Sequence, residues 1–169
     1  MNKKLIYLIA LLGAMVAFVP ACKDADPCKD VDCGANGTCV DGACFCNDGY
    51  EGSDCLTEWS GKFVHPNYDG TDVCTMPVGT FDYSMKISRV SESKILLEKI
   101  GGTVFDVDAD VSYASASDET ATKITIADVI GARTFAGTGT ISGSVITGSY
   151  TITQGGAVTD ACTFTWTKK

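Results

Sequence analysis

The sequence predicts a mainly β protein in two parts, a small disulfide-rich module followed by an antiparallel β-barrel or β-sandwich domain. Three observations carry this expectation. Six of the nine cysteines crowd between Cys28 and Cys55, with gaps of four, five, four, one and eight residues. So short a stretch buries little apolar core, and crosslinks must hold it. From Trp59 onward cysteines thin to two, and apolar residues alternate with polar ones at the period of strands. No long helical pattern competes in that region.

Length and charge narrow the classes. The chain has 169 residues and a net charge of −8, room for one ordinary domain or two small ones. No basic cluster exists beyond the two terminal lysines, which argues against a nucleic-acid partner. Paired cysteines imply export from the cytoplasm, so an export signal is expected at the start.

Met1-Asn2-Lys3-Lys4 is a short basic opening, and Leu5 to Val19 is a nearly unbroken apolar run. About fifteen residues is short for a membrane span, which needs about twenty. Val19-Pro20-Ala21-Cys22 follows, and it resembles a bacterial lipobox, with Pro20 where family members more often carry alanine or serine. The resemblance implies a signal peptide over 1–21 and lipidation of Cys22, with anchoring in the outer membrane. Cys22 also accounts for the odd cysteine count. Residues 22–27 are then a charged tether. Its Lys23-Asp24-Ala25-Asp26 run resembles an acidic surface-export tag of some Gram-negative bacteria, and a plain solvated linker would read the same.

Within the module, Asn36-Gly37 is expected to supply a positive-φ turn, and Asp41-Gly42 suits the tip of a minimal hairpin. Cysteine counting alone leaves the pairing open. Gly34, Gly37 and Thr38 precede Cys39, then come Cys44-x-Cys46, Gly49-Tyr50, and Gly52 three residues before Cys55. With these features residues 28–55 resemble an EGF-like module. The resemblance implies the bridges Cys28–Cys39, Cys33–Cys44 and Cys46–Cys55. Many such modules bind calcium through an acidic or amide block just before the first cysteine. Here Asp24-Ala25-Asp26-Pro27 puts proline in a ligand position, so calcium is not expected. Six thiolates at these gaps without histidine fit no common zinc pattern. Asn36-Gly37-Thr38 fits a glycosylation sequon, yet the EGF-like turn uses the same residues.

The composition shifts at Leu56-Thr57-Glu58, so a β domain is expected over 59–169, folding independently of the module. Phe81, Tyr83, Met85 and Ile87 alternate with polar residues. So do Phe105, Val107, Ala109 and Val111, opposite Asp106, Asp108 and Asp110. Lys123 to Asp128 and Thr163 to Thr167 behave alike. Thr134 to Ile152 reads as two strands joined near Ser142-Gly143-Ser144, with Ile146, Tyr150 and Ile152 inward. Ile95-Leu96-Leu97 fits a buried strand or a short helix. About seven to nine strands are expected. Cys74 and Cys162 remain, and their pairing would tie an early loop to the last strand. Trp59-x-Gly61-x-Phe63 resembles the first strand of calycin barrels, which implies architecture only.

Catalytic chemistry is not visible. His65, the sole histidine, has no nucleophile or orienting acid in any recognised motif, so a surface role is expected. Gly137-x-Gly139 lacks a following helix and is no dinucleotide fingerprint. Asp106-x-Asp108-x-Asp110 begins like a calcium loop but lacks the glycine and glutamate that complete one, so a solvated edge strand is expected. No cofactor or metal is expected. The sequence therefore points to a non-enzymatic, lipid-anchored surface protein, held to the membrane by its lipid, that binds a protein, glycan or lipid ligand through the β domain. The alternative is a small-ligand carrier, and the inside of the barrel decides between them. Small inward residues such as Gly137, Gly139 and Gly148 either leave a pocket or are filled by neighbours.

Overall fold

The computed structural model describes residues 26–115, 118 and 120–169. The leader 1–21, Cys22 and tether residues 23–25 lie outside the described residues. The module contributes β1 (Gly37–Val40), β2 (Ala43–Cys46), β3 (Tyr50–Glu51) and β4 (Thr57–Glu58). Its bridges are Cys28–Cys39, Cys33–Cys44 and Cys46–Cys55. β1 and β2 form a hairpin with Val40 opposite Ala43, and Asp41 and Gly42 at its tip both have positive φ. Asn36 and Gly37 do not supply the expected positive φ. Gly37 is required for a different reason: a Cβ there would lie 2.5 Å from Cys55 Sγ.

The remaining strands are β5 (His65–Met76), β6 (Val78–Ser91), β7 (Lys94–Glu98), β8 (Asp106–Ser112), β9 (Lys123–Ile130), β10 (Arg133–Ser142), β11 (Val145–Gln154) and β12 (Ala157–Lys168). They close into one antiparallel barrel of eight strands, in which each strand pairs its sequence neighbours and β12 returns to β5. A barrel of this size has an interior that side chains can fill. Tyr68, Ile87, Leu97, Val107, Ile124, Phe135, Ile146 and Trp166 are among the buried residues that fill it. Ile95-Leu96-Leu97 is strand, with Ile95 and Leu97 inward.

Four expectations need correction. Cys74 lies within β5 rather than in a loop, and it pairs Cys162 directly across the β5–β12 seam. Asp106, Asp108 and Asp110 do not lie on an edge, because β8 pairs with both β7 and β9, and closure removes every edge. Trp59-x-Gly61-x-Phe63 is not a strand. Ser60–Lys62 forms a 3-10 turn in which Ser60 O accepts from Phe63 N at 3.0 Å, because the chain must swing there from the module into the barrel wall. Phe81 shares the inward face of β6 with Tyr83, Met85 and Ile87, but at 44% exposure it stands open at the barrel mouth.

The module and barrel meet through specific contacts. β4 pairs with β3, and Trp59 Nε1 donates to Tyr50 O at 2.9 Å while its ring joins the barrel core. Glu51, 5% exposed, accepts from Ala121 N at 2.7 Å and pairs with Lys62. Arg89 Nε donates to Glu58 at 2.6 Å. The segment 56–58 is therefore ordered structure between the two parts and not a bare linker. Since consecutive barrel strands are antiparallel, their turns alternate between two ends. The module covers one, where Tyr68 Oη donates to Phe63 O at 2.6 Å. The other end faces away from the module.

Candidate functional site: the module-distal mouth of the barrel

Four connections surround the distal mouth, and each carries an exposed aliphatic side chain. Met76 and Val78 flank the β5–β6 turn, Val104 lies between β7 and β8, Val129 precedes the β9–β10 turn, and Val158 follows the β11–β12 turn. Val78 and Val104 are 87% and 88% exposed. The turns at the module end carry Glu92-Ser93 and Gly143-Ser144, with Val90 as the exposed aliphatic side chain beside them. Isolated surface valines are ordinary, but a ring of them around one end of a barrel marks a contact surface.

Inside the rim, the mouth is closed by the β7–β8 connection. Its 3-10 turn, Ile100–Gly102, buries Ile100 and follows Lys99, and Lys99, Gly101 and Gly102 all have left-handed φ. Glycine reaches that region without steric cost, which explains its presence at two of the three positions.

Beneath this turn lies a polar cluster. Asp72 of β5 is 1% exposed, and its Oδ1 accepts from Tyr83 Oη at 2.7 Å. Its Oδ2 accepts from Tyr150 Oη at 2.5 Å, and Trp166 Nε1 donates to Tyr83 Oη at 2.7 Å. Phe164 stacks on Trp166 with centroids 3.8 Å apart. Burial pushes the Asp72 carboxyl above the usual carboxylate range, opposed by hydrogen bonds from Tyr150 and Tyr83. Burial and the Asp72 carboxylate hold both tyrosines well above their ordinary value. Among the described residues Asp72 has no cationic partner.

The sequence reading missed Asp72, because an aspartate in an alternating strand reads as outward. The available signal was Tyr68-x-Gly70-x-Asp72-x-Cys74, which places it on the same face as a cysteine expected to be bridged. Tyr150 was expected inward and is.

The inward glycines leave no pocket. A Cβ on Gly139 would lie 2.7 Å from Phe164 Cζ, one on Gly148 2.5 Å from the same atom, and one on Gly137 2.7 Å from Tyr150 Cβ. Both rings occupy the space that a carrier would need. His65 is half-buried at the start of β5, its Nδ1 lies 2.7 Å from the Asn67 carbonyl oxygen, to which a protonated Nδ1 donates, and it packs edge-on against Tyr68. Asp106 accepts from Lys99 N at 3.0 Å and Asp110 pairs with Lys94 at 3.2 Å, so these carboxylates pin neighbouring backbone and strand. Among the described residues no cluster of three or more His, Cys, Asp or Glu is placed to hold a metal. None of their helices is long and apolar enough to cross a membrane.

Residues 28–58 match the family model of the teneurin-like EGF domain. The match covers the three module bridges and runs on through β4, which makes Thr57 and Glu58 part of the EGF-like segment. No curated protein and no solved structure matches the chain.

Proposed function

We propose that the chain is a non-enzymatic, lipid-anchored surface protein that binds a protein partner through the module-distal mouth of its barrel. The ring of exposed aliphatic side chains at all four distal connections carries this reading. With the lipid on Cys22, the EGF-like segment lies between membrane and barrel, so the mouth points outward from the outer membrane. The rim holds no concentration of basic side chains that an anionic lipid surface or nucleic acid would require, and its aliphatic tips suit an apolar protein surface. The carrier reading is the weaker one, since Phe164 and Tyr150 fill the interior.

Intact cells carrying Val104→Cys test anchoring and orientation together. A membrane-impermeant maleimide should label the cell-bound protein, and adding Cys22→Ser should release it from the membrane fraction. Protein that stays membrane-bound without Cys22, or that is labelled only after lysis, would contradict the reading.

A further inference from the structure

We propose that the groove between the module and the barrel is a second contact surface, fitted to an extended, arginine-rich segment of a partner protein. It lies at the opposite end of the barrel from the aliphatic rim, so the two contacts are separate.

The shape comes first. The groove runs between the β1–β2 side of the module and the chain that follows β8, with a volume of about 1130 Å³. Small-molecule sites span about 300–1000 Å³, so this one suits a length of chain. Phe45 of β2 lines it and is 63% exposed, more than any other aromatic side chain among the described residues. Tyr113 lines the barrel side, held edge-on against Trp59 with ring centroids 4.9 Å apart. Aromatic side chains of this kind anchor an interface once a partner covers them.

Charge names the occupant. Asp30, Asp32, Asp54 and Asp118 line the same groove, and the ion pairs among the described residues use none of them. Glu51, on the same wall, is already paired with Lys62. Residues 26–58 hold eight acidic residues against Lys29 alone. Asp32 Oδ1 accepts from Gly34 N at 2.9 Å, Asp54 Oδ1 from Leu56 N at 3.2 Å and Asp118 Oδ2 from Ser115 N at 2.7 Å. These bonds orient the carboxylates and bring no positive charge. Among the described residues no three acids converge as metal ligands, so the negative charge is spread along the groove and matches cations spread along a chain. Arginine fits better than lysine, because its planar guanidinium pairs with a carboxylate and also stacks on an aromatic face such as that of Phe45. Nucleic acid and anionic lipid are repelled by the same carboxylates.

The test uses the full chain in detergent and three fluorescent peptides, repeats of Arg-Gly, Lys-Gly or Glu-Gly of equal length, read by anisotropy. The arginine peptide should bind, the lysine peptide about threefold more weakly, and the glutamate peptide not at all. Asp30→Asn together with Asp54→Asn should weaken binding at least about fivefold. Asp41→Asn together with Asp48→Asn removes the same charge from the module outside the groove, and should change affinity by less than about twofold. Phe45→Ser should abolish the preference for arginine over lysine. All five side chains are exposed, so none of these changes disturbs a core. No binding of the arginine peptide, equal affinity for the arginine and lysine peptides, equal loss from the two aspartate pairs, or an arginine preference that survives Phe45→Ser would each overturn the proposal.

Discussion

Cys74 and Cys162 face each other in register across the seam where the first barrel strand meets the last, with Cα atoms 4.0 Å apart. Every other strand pair in the barrel joins sequence neighbours. Closure therefore rests on one long-range pairing, and the bridge spans a separation of 88 residues at that point. Replacing both cysteines by serine should lower stability by about 2–4 kcal/mol, mainly by freeing the unfolded chain. Chemical denaturation measures this. A loss below about 0.5 kcal/mol would show that the strand ladder closes the barrel unaided.

Peptide mapping without reduction should give Cys28–Cys39, Cys33–Cys44, Cys46–Cys55 and Cys74–Cys162. A bridge between the module set and the barrel set would contradict the two-part architecture.

The Asp72 carboxyl, raised by burial, makes a pH prediction of definite sign. The native protein holds this proton more tightly than the unfolded chain does. Stability from this group is therefore greatest below the ordinary carboxylate range and declines as pH rises through the raised native value. Glu58 and Glu98 act oppositely. Arg89 beside Glu58, and Lys86 and Ser88 beside Glu98, hold them below the usual range, so their contribution fades as pH falls. Asp72→Asn should remove the decline toward high pH and leave the low-pH behaviour alone. Denaturation midpoints at several pH values decide it, and parallel curves for both proteins would count against the assignment.

Glu51 joins the two parts. Glu51→Ala would strand the Ala121 N–H at a buried seam and take the ion pair from Lys62, whose Nζ keeps only Ala121 O, at a cost of about 1–3 kcal/mol. Limited proteolysis should then cut near residues 56–64 in the variant before the wild type. Identical cleavage would mean that the seam contributes little.

Gly139→Ala and Gly148→Ala should each destabilise the barrel by about 1–3 kcal/mol, because Phe164 already fills the space. A gain in stability would reveal a void there and favour the carrier reading.

The module was legible because its cysteine and glycine spacing is itself the structure: with so little core, the crosslinks dictate the fold. The barrel strands were legible from alternation, as in Met85 and Ile87. Closure was not, since a sandwich strand and a barrel strand share the same period. The Trp59–Phe63 stretch misled for a related reason. Its alternating aromatics mimic a strand, while the need to cross from module to barrel makes Ser60–Lys62 a turn. Asp72 stayed hidden because its partners, Tyr83, Tyr150 and the roof at Gly101, come from three distant segments that only the fold brings together. The apolar rim was likewise invisible. Val78, Val104, Val129 and Val158 lie in or beside four separate connections, and antiparallel topology alone collects them at one end.

The central claim is that the protein makes its contact at the module-distal mouth. Site-specific photo-crosslinking in intact cells tests it most directly, with the crosslinker at Val104 on the distal rim or at Ser144 on the module-side turn. A discrete adduct with a second protein is expected from position 104 and none from position 144, with the adduct abolished by Val78→Lys. Adducts from 144 alone, adducts with lipid, or a self-adduct of two copies would contradict it.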